Sequence, residues 1–191
     1  MKRTQTFLLV ITILLILSAV LFSVFYIKGG STIKYRLGNK YYGFEIRVPK
    51  NWIAEQNTSY QEGDIGQLID KCKNSTSGYL HEIGDFRIKD QRLPEESTIT
   101  RAILEISVDC MANPKLIDYS YGDLKIGGEN AFKGFSGLDK TIYFSFMHNN
   151  LQYKINEYVL VSPSDKNNEQ KIRNDYSVLF DKIITSFKFI K

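Results

Sequence analysis

Hydrophobic positions along the chain change their spacing twice. From Phe7 to Ile27 they form a solid run of 21 residues without charge or proline. Beyond Tyr42 they recur mostly at every second residue, and after Asn167 they recur at three and four. The first pattern predicts a helix of roughly 31 Å, about the thickness of a bilayer's hydrocarbon core. The second predicts strands with one apolar face, and the third an amphipathic helix.

Tyr42, Phe44, Ile46 and Val48 alternate with Gly43, Glu45 and Arg47, and Pro49, which cannot donate to a ladder, stops that strand. Trp52 is expected to close one end of the core. Thr98, Thr100, Ala102, Leu104, Ile106 and Val108 share a second apolar face, opposite Ile99, Arg101, Ile103 and Glu105. Leu124-Lys125-Ile126 runs into the turn pair Gly127-Gly128, and Ala131–Phe135 resumes a strand. Ile142, Phe144 and Phe146, the turn His148-Asn149-Asn150, and Leu151, Tyr153 and Ile155 then define an antiparallel hairpin, because asparagine tolerates the positive φ of a tight turn. Asn167 is the expected cap of the C-terminal helix, with Gln170 in the capping-box position. Ile172, Tyr176, Leu179, Phe180, Ile183 and Phe187 form its apolar stripe, while Arg173, Asn174, Ser177, Asp181 and Lys182 face away. Phe187–Phe189 is expected to return as a short strand. From Gln56 to Ser97 the pattern is weak, with short elements near Ile65–Ile69 and Tyr79–Ile88, and a distinctive site is expected there. The expected class is thus mixed α/β (α+β), an antiparallel sheet with helices against it.

Lys2 and Arg3 precede the apolar run and a single Lys28 follows it, so the positive-inside rule places the N-terminus in the cytoplasm and the domain outside. A cleaved signal peptide is the rival, but its apolar region is about 7–15 residues and ends at a small-x-small site, where this chain has Leu21-Phe22 and Phe25-Tyr26-Ile27. The expected layout is a cytoplasmic segment 1–6, a transmembrane anchor 7–27, a tether 28–40 and one extracytoplasmic domain 41–191. The net charge of +4 shrinks in the domain: without Lys2, Arg3 and Lys28, 22 basic residues of the 25 face 21 acidic ones. The signs are interspersed, which excludes the basic face that nucleic-acid binding requires.

Cys72 and Cys110 are the only cysteines. Outside the cell they either form a disulfide or remain as two thiols. Asn57-Thr58-Ser59 and Asn74-Ser75-Thr76 are glycosylation sequons, relevant in an organism that glycosylates exported proteins. His81-Glu82-Ile83-Gly84-Asp85 is the nearest approach to a metal signature: on a helix, residues four apart would share a face and could ligate one ion. Gly84 weakens such a helix, and Tyr79-Leu80-His81 reads as strand. A thiol nucleophile at Cys72 or Cys110 with His81 or His148 as base is a second enzymatic reading. The sequence contains no Gly-x-Ser-x-Gly elbow, P-loop or dinucleotide fingerprint. Tyr35, Tyr41, Tyr119 and Tyr121 are candidates for an exposed aromatic patch.

Three segments carry a resemblance: Gly43-Phe44-Glu45-Ile46-Arg47-Val48-Pro49-Lys50-Asn51-Trp52, Ile126-Gly127-Gly128-Glu129-Asn130-Ala131, and Phe180 to Phe189. Together they resemble PsbP-like domains, the group named for an extrinsic subunit of photosystem II. The resemblance implies an antiparallel sheet in an α/β/α sandwich, here preceded by one transmembrane helix. It implies little about activity, since one fold serves many functions. The expected function is a membrane-tethered, extracytoplasmic, non-enzymatic binding or assembly module for another envelope protein. No catalytic, metal or cofactor residue and no small-molecule partner is assigned. The alternatives are an exported hydrolase or metal-dependent enzyme using His81, Glu82 and Asp85, and a small-ligand or metal-ion sensor with a cavity lined by Gln56–Ser97.

Overall fold

The computed structural model describes residues 32–57, 62–74, 80–90, 100–111, 123–137 and 141–190. The anchor expected over 7–27, Tyr119 and Tyr121 lie outside these residues. Among the described residues no helix is long and apolar enough to cross a membrane.

The elements in chain order are strands β1 (Thr32–Leu37), β2 (Phe44–Pro49) and β3 (Trp52–Gln56), helix α1 (Glu62–Lys73), strands β4 (Leu80–Asp90), β5 (Arg101–Met111), β6 (Lys125–Ile126), β7 (Glu129–Ser136), β8 (Thr141–His148) and β9 (Leu151–Leu160), a 3-10 turn (Pro163–Asn168), helix α2 (Glu169–Thr185) and strand β10 (Lys188–Phe189). Seven strands form one antiparallel sheet in the order β3-β4-β5-β9-β8-β7-β6, and β1-β2-β10 form a smaller one. The fold is α+β.

Alternation decides which face of the large sheet is covered. Ala102, Leu104, Ile106, Val108 and Cys110 of β5 are fully buried, and so are Phe86 and Ile88 of β4, Phe146 of β8 and Tyr153 and Ile155 of β9. Against this face lie Phe44, Ile46 and Val48 from β2, Phe180, Ile183 and Ile184 from α2, and Ile65, Ile69 and Cys72 from α1. Each such side chain contributes about 1.5–3 kcal/mol by leaving water. Phe44 is the aromatic hub: it stacks on Phe187 at 4.5 Å and meets Phe86 edge-on at 5.0 Å. Trp52 meets Phe180 edge-on at 5.9 Å, so it does pack at one end of the core. Among the described residues both helices lie against this one face, α1 on β4 and β5 and α2 on β9, and α2 also meets β2 of the smaller sheet.

Several local expectations need amendment. Thr32–Leu37, inside the stretch expected as a tether, is strand β1, because hydrogen bonding to β2 outweighs its glycine-flanked sequence. Asn167 does not cap α2: Pro163–Asn168 forms a 3-10 turn first, Asn168 takes the cap position without a side-chain bond, and Gln170 bonds Asn174 instead. Asp165 holds that turn, accepting from Thr100 at 2.6 Å and Ser162 at 2.9 Å, and those bonds keep its carboxyl below the usual carboxylate range. Asn149 and Asn150 both have positive φ and join β8 to β9 as a two-residue turn. Thr185 and Ser186 end α2, and the Ser186 hydroxyl accepts the Arg47 N–H of β2 at 2.8 Å.

Gly43, which opens the first of the three segments, is required by space. A Cβ there would strike the backbone carbonyl of Asn39, which no rotamer change can move aside. Gly43→Ala is expected to cost about 1–3 kcal/mol, the usual penalty of overpacking. A change below a few tenths of a kcal/mol in a urea melt would show that the 39–43 turn can open freely.

Candidate functional site

The residues of the metal-like pentapeptide lie on a strand. β4 is extended at about 3.3 Å per residue, so His81 and Asp85 are roughly 13 Å apart along it and cannot share an ion as a helical pair would. A bulge between Glu82 and Gly84 shifts the register, leaving Glu82 opposite Asp109 and Gly84 opposite Val108. Glu82 is solvent-exposed, and its carboxyl is raised by partial desolvation, then by Asp85 and Asp109. Asp109 already pairs with Lys154 at 3.2 Å. Among the described residues no group of three or more His, Cys, Asp or Glu side chains is arranged to hold a metal. Removing metal with EDTA is therefore expected to leave the melting temperature unchanged; a drop of several degrees would reveal a site.

The thiol reading fails on chemistry. Cys72 of α1 and Cys110 of β5 are joined as a disulfide, with Cα atoms 6.2 Å apart, so neither is a thiolate. His148, at the end of β8, is committed elsewhere. Its Nδ1 lies 2.8 Å from Glu129 Oε1, and its ring stacks on Phe189 at 3.5 Å. The aromatic patch does not assemble among the described residues: Tyr35 is half-buried and donates to the Trp52 carbonyl, while Tyr41 lies under Lys40. The sequon asparagines Asn57 and Asn74 are both exposed.

One hollow does fall on the segment where a site was expected. It measures about 440 Å³ and is lined by Glu55, Asn57, Arg87, Lys89 and Asp90, together with residues of β5. Two pairs of charges offset each other there: Lys89 pairs with Glu55 at 3.0 Å and Arg87 with Glu105 at 3.1 Å. Exposed pairs of this kind contribute little, and Arg101 of β5 also lines the hollow.

A second hollow differs in character. It lies between α2 and the β7–β9 half of the large sheet, and holds about 500 Å³. Phe135, Ile142 and Val159 make its apolar floor, and Gln170, Arg173, Asn174 and Ser177 form its polar wall. These α2 residues include three that the helical spacing directs away from the sheet. They do point away from the core, but the sheet extends further under the helix than the apolar stripe reaches. Phe135 is 65 % exposed, an aromatic ring left uncovered on the floor.

Glu157 stands in that floor. It follows Tyr153 and Ile155 in the inward register of β9, and its neighbours across the ladders are Leu104 of β5 and Ile142 of β8, both apolar. Only 4 % of the residue is exposed, and Oε1 has no hydrogen-bond partner. Burial first, and the Asp181 charge second, push its carboxyl up to about 7, with Lys133 pulling the other way. Lys133 Nζ lies over the Phe144 ring at 5.1 Å, and Arg173 is held by Glu169 at 2.9 Å. The sequence did contain the signal: an acid at the next apolar position of the alternation that runs Leu151, Tyr153, Ile155.

Fold and site define an α+β domain with, among the described residues, both helices against one sheet face and an apolar cleft floored by a buried carboxyl. Compared with known protein families, curated proteins and solved structures, the chain matches none.

Proposed function

We propose that the chain is a membrane-tethered, extracytoplasmic binding module rather than an enzyme, and that the cleft beneath α2 is where it binds. The observation that carries this reading is a single one: a hollow the size of a small-molecule site, apolar in its floor and polar on its helical wall, containing one unpartnered buried carboxyl. Among the described lining residues Glu157 is the one group that exchanges a proton near neutral pH. Acid–base or nucleophilic catalysis needs a second positioned group beside it, whereas binding needs only the shape and the carboxyl. The Phe7–Ile27 run and its flanking charges support the anchor and the outward orientation. A PsbP-like affiliation is proposed on its three segments, which coincide with β2 and the start of β3, the β6–β7 turn, and the end of α2 with β10. The α/β/α sandwich it implies adds a second helical layer to the α+β arrangement described above.

The test is a photo-cross-linking residue in place of Phe135, in the full chain and in native membranes. An ultraviolet-dependent adduct is expected at that position, to an envelope protein or a small molecule, and none from the same residue at Tyr143 on the opposite face. Adducts at both positions or at neither would overturn the reading. Protease added to intact cells should digest the domain; its survival there would refute the outward orientation.

A further inference from the structure

We propose that the cleft takes a small organic amine, an ammonium group on an apolar body, with the ammonium on Glu157 and the body on Phe135, Ile142 and Val159. This rests on the binding reading above and specifies its ligand class.

A buried carboxyl oxygen without a donor is a standing cost that folding normally avoids. Glu157 Oε1 is such an oxygen, and it belongs to a residue that lines an open hollow. Oε1 itself is closed to solvent, so a ligand reaches the carboxyl through the small part of Glu157 that stays exposed and offsets the cost of its burial by charge. The groups bearing on Glu157 favour a cation over an anion or a neutral donor. From α2, Asp181 adds a second negative charge, and Arg173 on the wall is already bound to Glu169. From β7, Lys133 contributes an opposing charge, but its ammonium rests over Phe144. β5 and β8 present Leu104 and Ile142, which carry no charge. An anion would meet the Glu157 carboxylate, whereas an ammonium would meet an ionised partner in a poorly hydrated place where the pairing is strong. The apolar floor then sets the rest of the ligand, since Phe135 offers an exposed ring on which an aliphatic or aromatic body can pack. At about 500 Å³ the hollow is within the range of small-molecule sites, roughly 300–1,000 Å³.

A cation captures the ionised form of Glu157, whereas a carboxylic acid or alcohol is compatible with the protonated one. With the carboxyl near 7, amine affinity should rise about tenfold between pH 6 and pH 8, and binding at pH 6 should release close to one proton. The experiment is isothermal titration of the full chain in lipid nanodiscs, with empty nanodiscs subtracted. The probes are 2-phenylethylamine, phenylacetate and 2-phenylethanol, each in two buffers of different ionisation enthalpy. Expected is binding of the amine alone, with the pH dependence and proton release above, and loss of binding in Glu157→Gln. Phe135→Ala, which alters no core residue, should weaken the amine by several-fold while the melting temperature holds. Phenylacetate or phenylethanol binding as tightly as the amine, binding without proton release, undiminished binding by Glu157→Gln, or no amine binding at roughly millimolar concentration would each overturn the proposal. A position-specific cross-link at Phe135 alongside failure of the amine would remove only the ligand class; failure of both would remove the binding reading as well.

Discussion

Glu157→Gln is expected to stabilise the domain at pH 8, by about 1–3 kcal/mol, and to leave it nearly unchanged at pH 4. The sign follows from where the proton sits. In the unfolded chain the carboxyl titrates near its ordinary 4.5, and in the folded domain it titrates near 7. Below 4.5 both states are protonated and the residue is neutral in its apolar setting. Between 4.5 and 7 the unfolded state ionises while the folded state holds its proton, so stability falls with rising pH through that window. Above 7 the folded domain carries a charge flanked by Leu104 and Ile142, and the penalty stays constant. Glutamine keeps the size and polarity without the charge, so the variant's urea midpoint should be flatter across that window than the parent's. Parallel curves for parent and variant would mean that Glu157 is hydrated in the folded state. A saturating amine should recover part of the loss at pH 8 in the parent and none in the variant, which joins this prediction to the proposed ligand.

Opening the disulfide should cost more than any single change in the cleft. Cys72 and Cys110 are 38 residues apart, and releasing a loop of that length lowers stability by roughly 4 kcal/mol. The Cys72→Ala/Cys110→Ala double variant avoids leaving buried thiols and isolates the cross-link. α1 otherwise holds to the domain chiefly by Ile65 and Ile69, so the loss should appear first as rapid amide exchange in Glu62–Lys73, with β5 and β9 still protected. Uniform loss of protection would make α1 part of the global unit, and a stability change under 1 kcal/mol would show that the bond constrains little. The bond also removes both sulfurs from nucleophilic chemistry.

How far the sequence could be read depends on the range of the forces involved. The β8–β9 hairpin was legible because alternation and two turn asparagines act within a few residues. α2 was legible because its apolar stripe repeats over four turns, although its first turn was not: Thr100 and Ser162 bind Asp165 and hold the entry as 3-10 rather than letting Asn167 cap it. β1 was hidden by its glycine flanks, and its strand exists because β2 is there to pair with it. The pentapeptide at His81 gave a misleading hint, since the same residues that would align on a helix are spread along β4.

Local pattern alone determined the alternating faces, the hairpin, the amphipathic last helix and the division into an apolar N-terminal run and a polar-surfaced domain, because each depends on side chains close in sequence. The cleft and its carboxyl were decided by tertiary structure. Glu157 becomes a buried acid because β5 sets Leu104 on one side of it and β8 sets Ile142 on the other, and the cleft beside it stays open because Phe135 is left uncovered. Solvation is set by neighbours in space, and no stretch of β9 carries that information.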